Sequence, residues 1–189
     1  RGVCRICEKI CTREAIDFEQ KDTDVMLNVG AIIVATGFVP FDPSGIAQYG
    51  YKRYRNVIIS LEYERLICAS GPTGVHLLRR SDNKPAEKIA FVQCVGSRDF
   101  KNNRYCSSIC CMHATKEAML AYEHNPKVKS YIFYIDLRAA GKGFQEYVAR
   151  GEQKYNISYI RGRAAKITED HDENPIVWYE ETLSSKTKK

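Results

Sequence analysis

Cys94, Cys106, Cys110 and Cys111 gather four thiols within eighteen residues of a 189-residue chain. Four thiolates are what an iron–sulfur cluster takes as ligands. Cysteine is also among the residues most often fully buried, and the chain holds eight, but four in one short segment exceed what core packing calls for. Adjacent cysteines seldom pair with each other, because the ring such a disulfide closes is strained, so Cys110-Cys111 argues against a disulfide frame. Zinc is the nearer rival, since four-cysteine zinc sites are common. Their usual signature is a pair of short Cys-x-x-Cys-like knuckles; here a single Cys-x-x-x-Cys adjoins a further cysteine, which favours iron and sulfide.

A second group opens the chain. Cys4, Cys7 and Cys11 follow the later part of the bacterial ferredoxin run Cys-x-x-Cys-x-x-Cys-x-x-x-Cys-Pro. In that register Arg1 stands where the first cysteine would fall, and Thr12 where the proline would fall. A fourth ligand then has to come from elsewhere, and a three-cysteine zinc site or three-iron cluster stays open. Cys4-x-x-Cys7 is formally also a redox pair of the kind an NAD(P)-dependent disulfide reductase uses, although the nearby Cys11 favours cluster ligation. Cys68 falls on the apolar side of a predicted helix and is expected in the core.

The elements that must position these thiols read as α/β. Lys88–Gln93 is predicted as a short buried strand after the turn Ser81-Asp-Asn-Lys-Pro85, and Ser107–His124 as a helix. The principal cysteines therefore occupy a strand-to-helix turn, where the first helical N–H groups lack partners and favour negative charge. Lys129–Asp136, Gly143–Lys154 and Ile157–Arg161 continue as strand, helix and strand; Ala164–Thr168 and Ile176–Glu180 form an expected β-pair. This is the order of a half-Rossmann domain. Its acidic residue at the end of the second strand is present as Asp136, while the Gly-x-Gly-x-x-Gly turn has become Cys94-Val-Gly-Ser with a cysteine-bearing insert. The inference is that a cluster has replaced the pyrophosphate site and that this half does not bind NAD(P). Upstream, Ala31–Val34 is a continuous apolar run ending in Ala35-Thr36-Gly37, expected as a buried strand that stops at a glycine turn. The expected organisation is a partial ferredoxin-like segment at 1–24, a flavin-domain strand with connecting region at 25–84, and a Rossmann-like domain with the cluster insert at 85–189.

Composition narrows the function further. The formal charge is +6 with pI near 8.8, yet the basic residues are dispersed among 23 acidic ones, which argues against nucleic acid as a partner. No run approaches the ~20 apolar residues of a membrane helix, and no signal peptide is visible. The expectation is a reduced, cytoplasmic setting, where clustered cysteines bind metal more often than they form disulfides. The chain lacks an initiator methionine, opens within a cluster motif, and is expected to be an internal fragment.

Gly30-Ala-Ile-Ile-Val-Ala-Thr-Gly37 is similar to the strand by which the chain leaves the flavin domain in thioredoxin-reductase-like flavoproteins. Together with Ala69-Ser-Gly-Pro-Thr-Gly74, Cys94-Val-Gly-Ser-Arg-Asp99, Tyr105-Cys-Ser-x-x-Cys-Cys-Met112 and Tyr134-Ile-Asp-Leu-Arg-x-x-Gly-Lys-Gly-Phe144, it resembles the A-type component of heterodisulfide reductase, an iron–sulfur flavoprotein. The resemblance implies a thioredoxin-reductase-like core with FAD and a [4Fe–4S] cluster, held by Cys94, Cys106, Cys110 and Cys111, with Ala35, Thr36 and Gly37 near the flavin. It implies an electron-transfer oxidoreductase subunit whose partners are the other heterodisulfide reductase subunits, a hydrogenase or formate dehydrogenase module, and ferredoxin. In bifurcating complexes the flavin splits an electron pair, and the coenzyme M–coenzyme B disulfide is reduced on another subunit. Related subunits of quinone-interacting sulfur-metabolism complexes share these motifs, and a zinc-stabilised binding module is the alternative of another class. The flavin domain's own glycine fingerprint is absent from the 189 residues. Arg98 and Arg104 flank the insert and would raise a cluster's potential if they fold over it; the alternative is two surface arginines. His113 is expected to face solvent. Lys142 and Phe144 are expected at a ligand- or partner-facing edge.

Overall fold

The computed structural model describes residues 4–189. Arg1, in the register of the first ferredoxin cysteine, lies outside the described residues. The chain divides into two compact units, the first ending at Val39 and the second spanning Pro40–Lys189.

Within the first unit the regular element is a short helix, α1 (Ile6–Ile10), which carries Cys7 between Cys4 and Cys11. The strand expected at Ala31–Val34 does not form. Its side chains are exposed, Ile33 by 91%, and no strand lies between Cys11 and Val39. An apolar run becomes a strand only where a neighbour takes up its N–H and C=O groups, and no other described segment of this unit offers a ladder. Gly37 has left-handed backbone, with φ +74°, but the expected turn does not form there.

The second unit holds α2 (Ser60–Ile67), β1 (Lys88–Val92), α3 (Cys110–His124), β2 (Lys129–Tyr134), α4 (Phe144–Lys154), β3 (Ile157–Arg161), β4 (Ala164–Glu169), β5 (Pro175–Glu181) and β6 (Lys186–Lys188). Strands β1, β2 and β3 form a parallel sheet in that order, with Lys88 opposite Lys129 and Ser130 opposite Ile157. The order matches the half-Rossmann expectation: strand, cysteine-bearing turn, helix, strand, helix, strand. β2 is central and buries Ser130, Ile132 and Phe133. β1 is an edge strand, half-buried rather than buried as its apolar sequence suggests.

Small residues set how closely α3 lies on the sheet. Ala114 and Ala118 pack with Met119, Ile132 and Ile157, and Ala121 packs with Tyr63, Ile67 and Val128. The helix stops at Asn125, whose N–H bonds to Ala121 O, because Pro126 follows and cannot continue the ladder. α4 starts after Gly143 at φ +80°. Its internal Gly151 is explained by contact: a Cβ there would lie 3.0 Å from the Tyr159 hydroxyl and 3.2 Å from Met119.

Residues 40–84 are tied to this sheet. Tyr63 meets the Phe91 ring edge-on at 5.6 Å and donates to Glu117 O at 3.0 Å. Asn56 Nδ2 donates to Ser81 Oγ at 2.8 Å and to Glu173 O at 2.7 Å. Strands β4 and β5 pair antiparallel as expected. The polar run 184–189 adds a third strand, β6, that the composition concealed. Cys68 corrects another expectation: it follows α2, exposed, with Sγ 3.4 Å from Ser70 Oγ. The helix turns its apolar face to the core through Tyr63 and Ile67, and the chain leaves helical geometry at Cys68.

Ile132 is fully buried at the centre of β2. Ile132→Ala is expected to cost about 3 kcal/mol, within the range for large-to-small core changes, as a lower urea midpoint with unchanged slope.

Candidate metal centre

After β1 the chain turns through Cys94 (φ +59°), Gly96 (φ +71°), Arg98 (φ +54°) and, before α3, Ser108 (φ +67°). Left-handed backbone at three non-glycine residues is costly, and such geometry concentrates at functional sites. Gly96 is fixed by space as well as by φ, since a Cβ would sit 2.4 Å from the Phe41 ring. The insert is laced to itself: Arg98 N donates to Tyr105 O at 3.0 Å, Asp99 N to Asn103 O at 2.9 Å, and Asn103 Nδ2 to Gly96 O at 2.9 Å. The lacing returns Cys106 towards Cys94. Ser108 then turns the chain into α3, which begins at Cys110 rather than at the expected Ser107.

Three thiols of the insert, Cys94, Cys110 and Cys111, come together at the turn, with Cys106 near Cys111. Cys110 lies between Cys111 and Cys94 and accepts hydrogen bonds from both, first from Cys111, which pushes its pKa far below the usual thiol value. Cys94 and Cys111 are pushed up in turn, chiefly because their protons are held against Cys110 and because both are buried. Cys106 is close enough to oppose ionisation of Cys111. Backbone and hydroxyl donors face the sulfurs: Ser108 N to Cys106 Sγ at 3.4 Å, Ser107 Oγ to Cys110 Sγ at 3.4 Å, and Arg138 N to Cys111 Sγ at 3.5 Å.

Four thiols, N–H donors aimed at sulfur and a fixed cation alongside therefore fit the group that the sequence implies.

That cation is Arg98. Its Nη2 donates to Asp136 Oδ2 at 2.8 Å, and its charge favours the ionised form of Cys94. Arg104 instead stacks on Phe100 at 5.1 Å, exposed. Asp136, the acidic residue after β2, is held below the usual carboxylate range first by Arg98 and further by Arg161, 3.5 Å from its other oxygen. Both carboxylate oxygens are thus engaged by guanidinium groups.

A polar cluster on the next turn of α3 escaped the sequence reading. His113 is not solvent-facing: its Nε2 lies 2.9 Å from Glu117 Oε1 and 3.6 Å from Glu64. Glu117 is 1% exposed, and burial raises its pKa to about 8. The His-x-x-x-Glu spacing on one helix face was the available signal. Lys116 pairs with Glu64 and supplies the positive charge of this cluster.

In the first unit Cys4 and Cys7 are exposed and Cys11 half-buried. The Ala15 N–H lies 3.4 Å from Cys11 Sγ and lowers its pKa. Three thiols flank one helical turn there, and no fourth cysteine joins them within the described part of that unit. Ala35, Thr36 and Gly37 are exposed.

No protein-family model matches the chain. It is 47% identical over 182 residues, 95% of its length, to the A-type iron-sulfur component of the CoB–CoM heterodisulfide reductase of Methanocaldococcus jannaschii. The sequence is homologous to a segment of the A-type component of heterodisulfide reductase. It is likewise 51% identical over 172 residues, 90% of its length, to a second such iron-sulfur component, from Methanopyrus kandleri. Over 184 residues, 97% of its length, it is 42% identical to the corresponding component of the ferredoxin:CoB-CoM heterodisulfide reductase of Methanosarcina mazei. The chain spans 28%, 26% and 23% of these relatives' own lengths. Each heterodisulfide reductase match runs through both compact units. Among the described residues no helix is long and apolar enough to cross a membrane.

The Glu117 carboxyl gives this heterodisulfide reductase homologue a pH signature. Its folded pKa of about 8 lies above the unfolded value near 4.5, so the folded state holds the extra proton and stability falls as pH rises through that window. His113, lowered first by burial, opposes this below about pH 6.5, where unfolded histidine binds a proton. Between about pH 6.5 and 8 the wild type is expected to lose stability that Glu117→Gln retains, a difference on the order of 2 kcal/mol by urea denaturation.

Proposed function

We propose that this chain is part of the iron–sulfur flavoprotein component of a heterodisulfide reductase-type oxidoreductase, and that its insert holds a [4Fe–4S] cluster relaying electrons to and from FAD. The observation that carries the reading is the convergence of Cys94, Cys106, Cys110 and Cys111 at the turn from β1 into α3. Homology to proteins named as iron-sulfur subunits supports it. When bound, the cluster supplies one-electron transfer. The chain's own residues ligate it, donate hydrogen bonds to its sulfurs from Ser107, Ser108 and Arg138, and shield it behind α3.

In the same proposal the core is thioredoxin-reductase-like, and Ala35-Thr36-Gly37 approaches the flavin, where a glycine at positive φ lets backbone come close. Most of the flavin domain would lie in parts of the protein that these residues do not include. Cys4, Cys7 and Cys11 would hold a second, ferredoxin-like cluster. The partners would be the other heterodisulfide reductase subunits, a hydrogenase or formate dehydrogenase module, and ferredoxin. Relatives are named for hydrogen-, formate- and ferredoxin-linked reactions. Electron bifurcation in a cytoplasmic complex, with disulfide chemistry on a partner subunit, completes the proposal.

Anaerobic assay of iron, sulfide and zinc with an optical spectrum tests the central claim. About four irons and four sulfides should be lost in each of Cys110→Ser and Cys111→Ser. One zinc per site, no sulfide and no absorbance near 400 nm, a rough guide to thiolate-to-iron charge transfer, would overturn it.

A further inference from the structure

Arg98 is built into the cluster turn from three directions. Its backbone is held left-handed at φ +54° while its N–H donates to Tyr105 O at 3.0 Å. Its Nη2 is fixed by Asp136 Oδ2 at 2.8 Å. Asp136 is fixed in turn by Arg161, whose Nε also donates to Ile135 O at 3.3 Å. The second ω-nitrogen is different: Nη1 is buried and has no hydrogen-bond partner among the described residues. A buried guanidinium N–H without an acceptor is unfavourable, and this one belongs to a side chain near enough to Cys94 for the two groups to act on each other. An acceptor that arrives with the cluster would satisfy it.

We propose that Arg98 is a positioning residue of the electron relay: Asp136 aims it, and its free Nη1 donates to a sulfur of the bound cluster, holding the reduction potential up. The proposal rests on the assignment of the cluster to Cys94, Cys106, Cys110 and Cys111. A cluster held by these cysteines would take one electron from the reduced flavin with no bond broken, and the cluster with its thiolates would gain one unit of negative charge. A fixed cation stabilises the reduced state more than the oxidised one. The Asp136 carboxylate does not cancel this, because Arg161 pairs with its other oxygen at 3.5 Å. The position that binds a ribose in a dinucleotide domain thus serves here as the anchor of an arginine.

The test is a potentiometric titration of the full-length protein, following by EPR the signal that Cys110→Ser removes. Wild type is compared with Arg98→Met, Arg98→Gln and Arg98→Lys, with iron and sulfide measured on each. The expected result is unchanged iron and sulfide content, a midpoint moved to more negative potential in the Met and Gln variants, and recovery of most of the shift in Lys. Equal midpoints in cluster-loaded wild type and neutral variants would overturn the proposal while leaving the cluster assignment intact. Loss of cluster from both neutral variants would make Arg98 an assembly residue and overturn it as well. Absence of iron and sulfide from the wild type would instead sink the cluster assignment on which it stands.

Discussion

Negative charge at sulfur is the constraint on which the rest of the second unit depends. Thiolates crowded into a half-buried space oppose one another's ionisation, and burial adds to the cost. To bring four thiolates together the fold has to aim positive potential at them. It does so with the unpaired N–H groups at the start of α3, with the Arg138 amide after β2, and with Arg98. Each source comes from a different segment, so the sheet order β1-β2-β3 is what makes them meet. β2 must lie beside β1 for its C-terminal loop to reach Cys111.

The left-handed backbone of the insert follows from the same constraint. Eleven residues separate Cys94 from Cys106, and they must leave the strand and return without crossing the helix entrance. Positive φ at Cys94, Gly96 and Arg98 folds them into a laced loop, and the strain is offset by hydrogen bonds within it. Phe41 closes over Gly96, which links residues 40–84 to the site as well as to the core.

Much of this architecture was legible in the chain, and the failures have physical reasons. Ile157–Arg161 could be bounded by periodicity and turn residues, and the helical stretch up to His124 showed its apolar face. The helix start was misplaced because nothing in Ser107-Ser-Ile109 breaks the helical pattern, whereas Ser108 adopts φ +67° and its N–H donates to Cys106 Sγ. Ala31–Val34 reads as a strand from its residues alone, but strand formation is a property of two segments. The reverse holds for Lys186–Lys188: lysine and threonine carry no strand signal there, yet β5 offers an open edge and Glu181 pairs with Lys188 at 2.6 Å. The convergence of four thiols was legible from spacing, since a strand-to-helix turn has few ways to place them. The roles of Arg98 and Asp136 depend on a contact across 38 residues, which no local pattern encodes.

With the proposed cluster in place, one topology would serve two kinds of ligand. A pyrophosphate sits, and a cluster held by Cys94, Cys106, Cys110 and Cys111 would sit, beyond the C-terminal edge of a parallel sheet, where a helix begins and its N–H groups lack partners. A pyrophosphate brings its own charge and needs only close backbone, so glycine suffices. A cluster needs covalent ligands, so the turn must lengthen to present side chains, and cysteine takes the positions nearest the helix start. The acidic residue after the second strand then loses its ribose. Left alone it would repel a cluster; paired with Arg98 and Arg161, it would let the sheet edge deliver a positive charge to a cluster bound there.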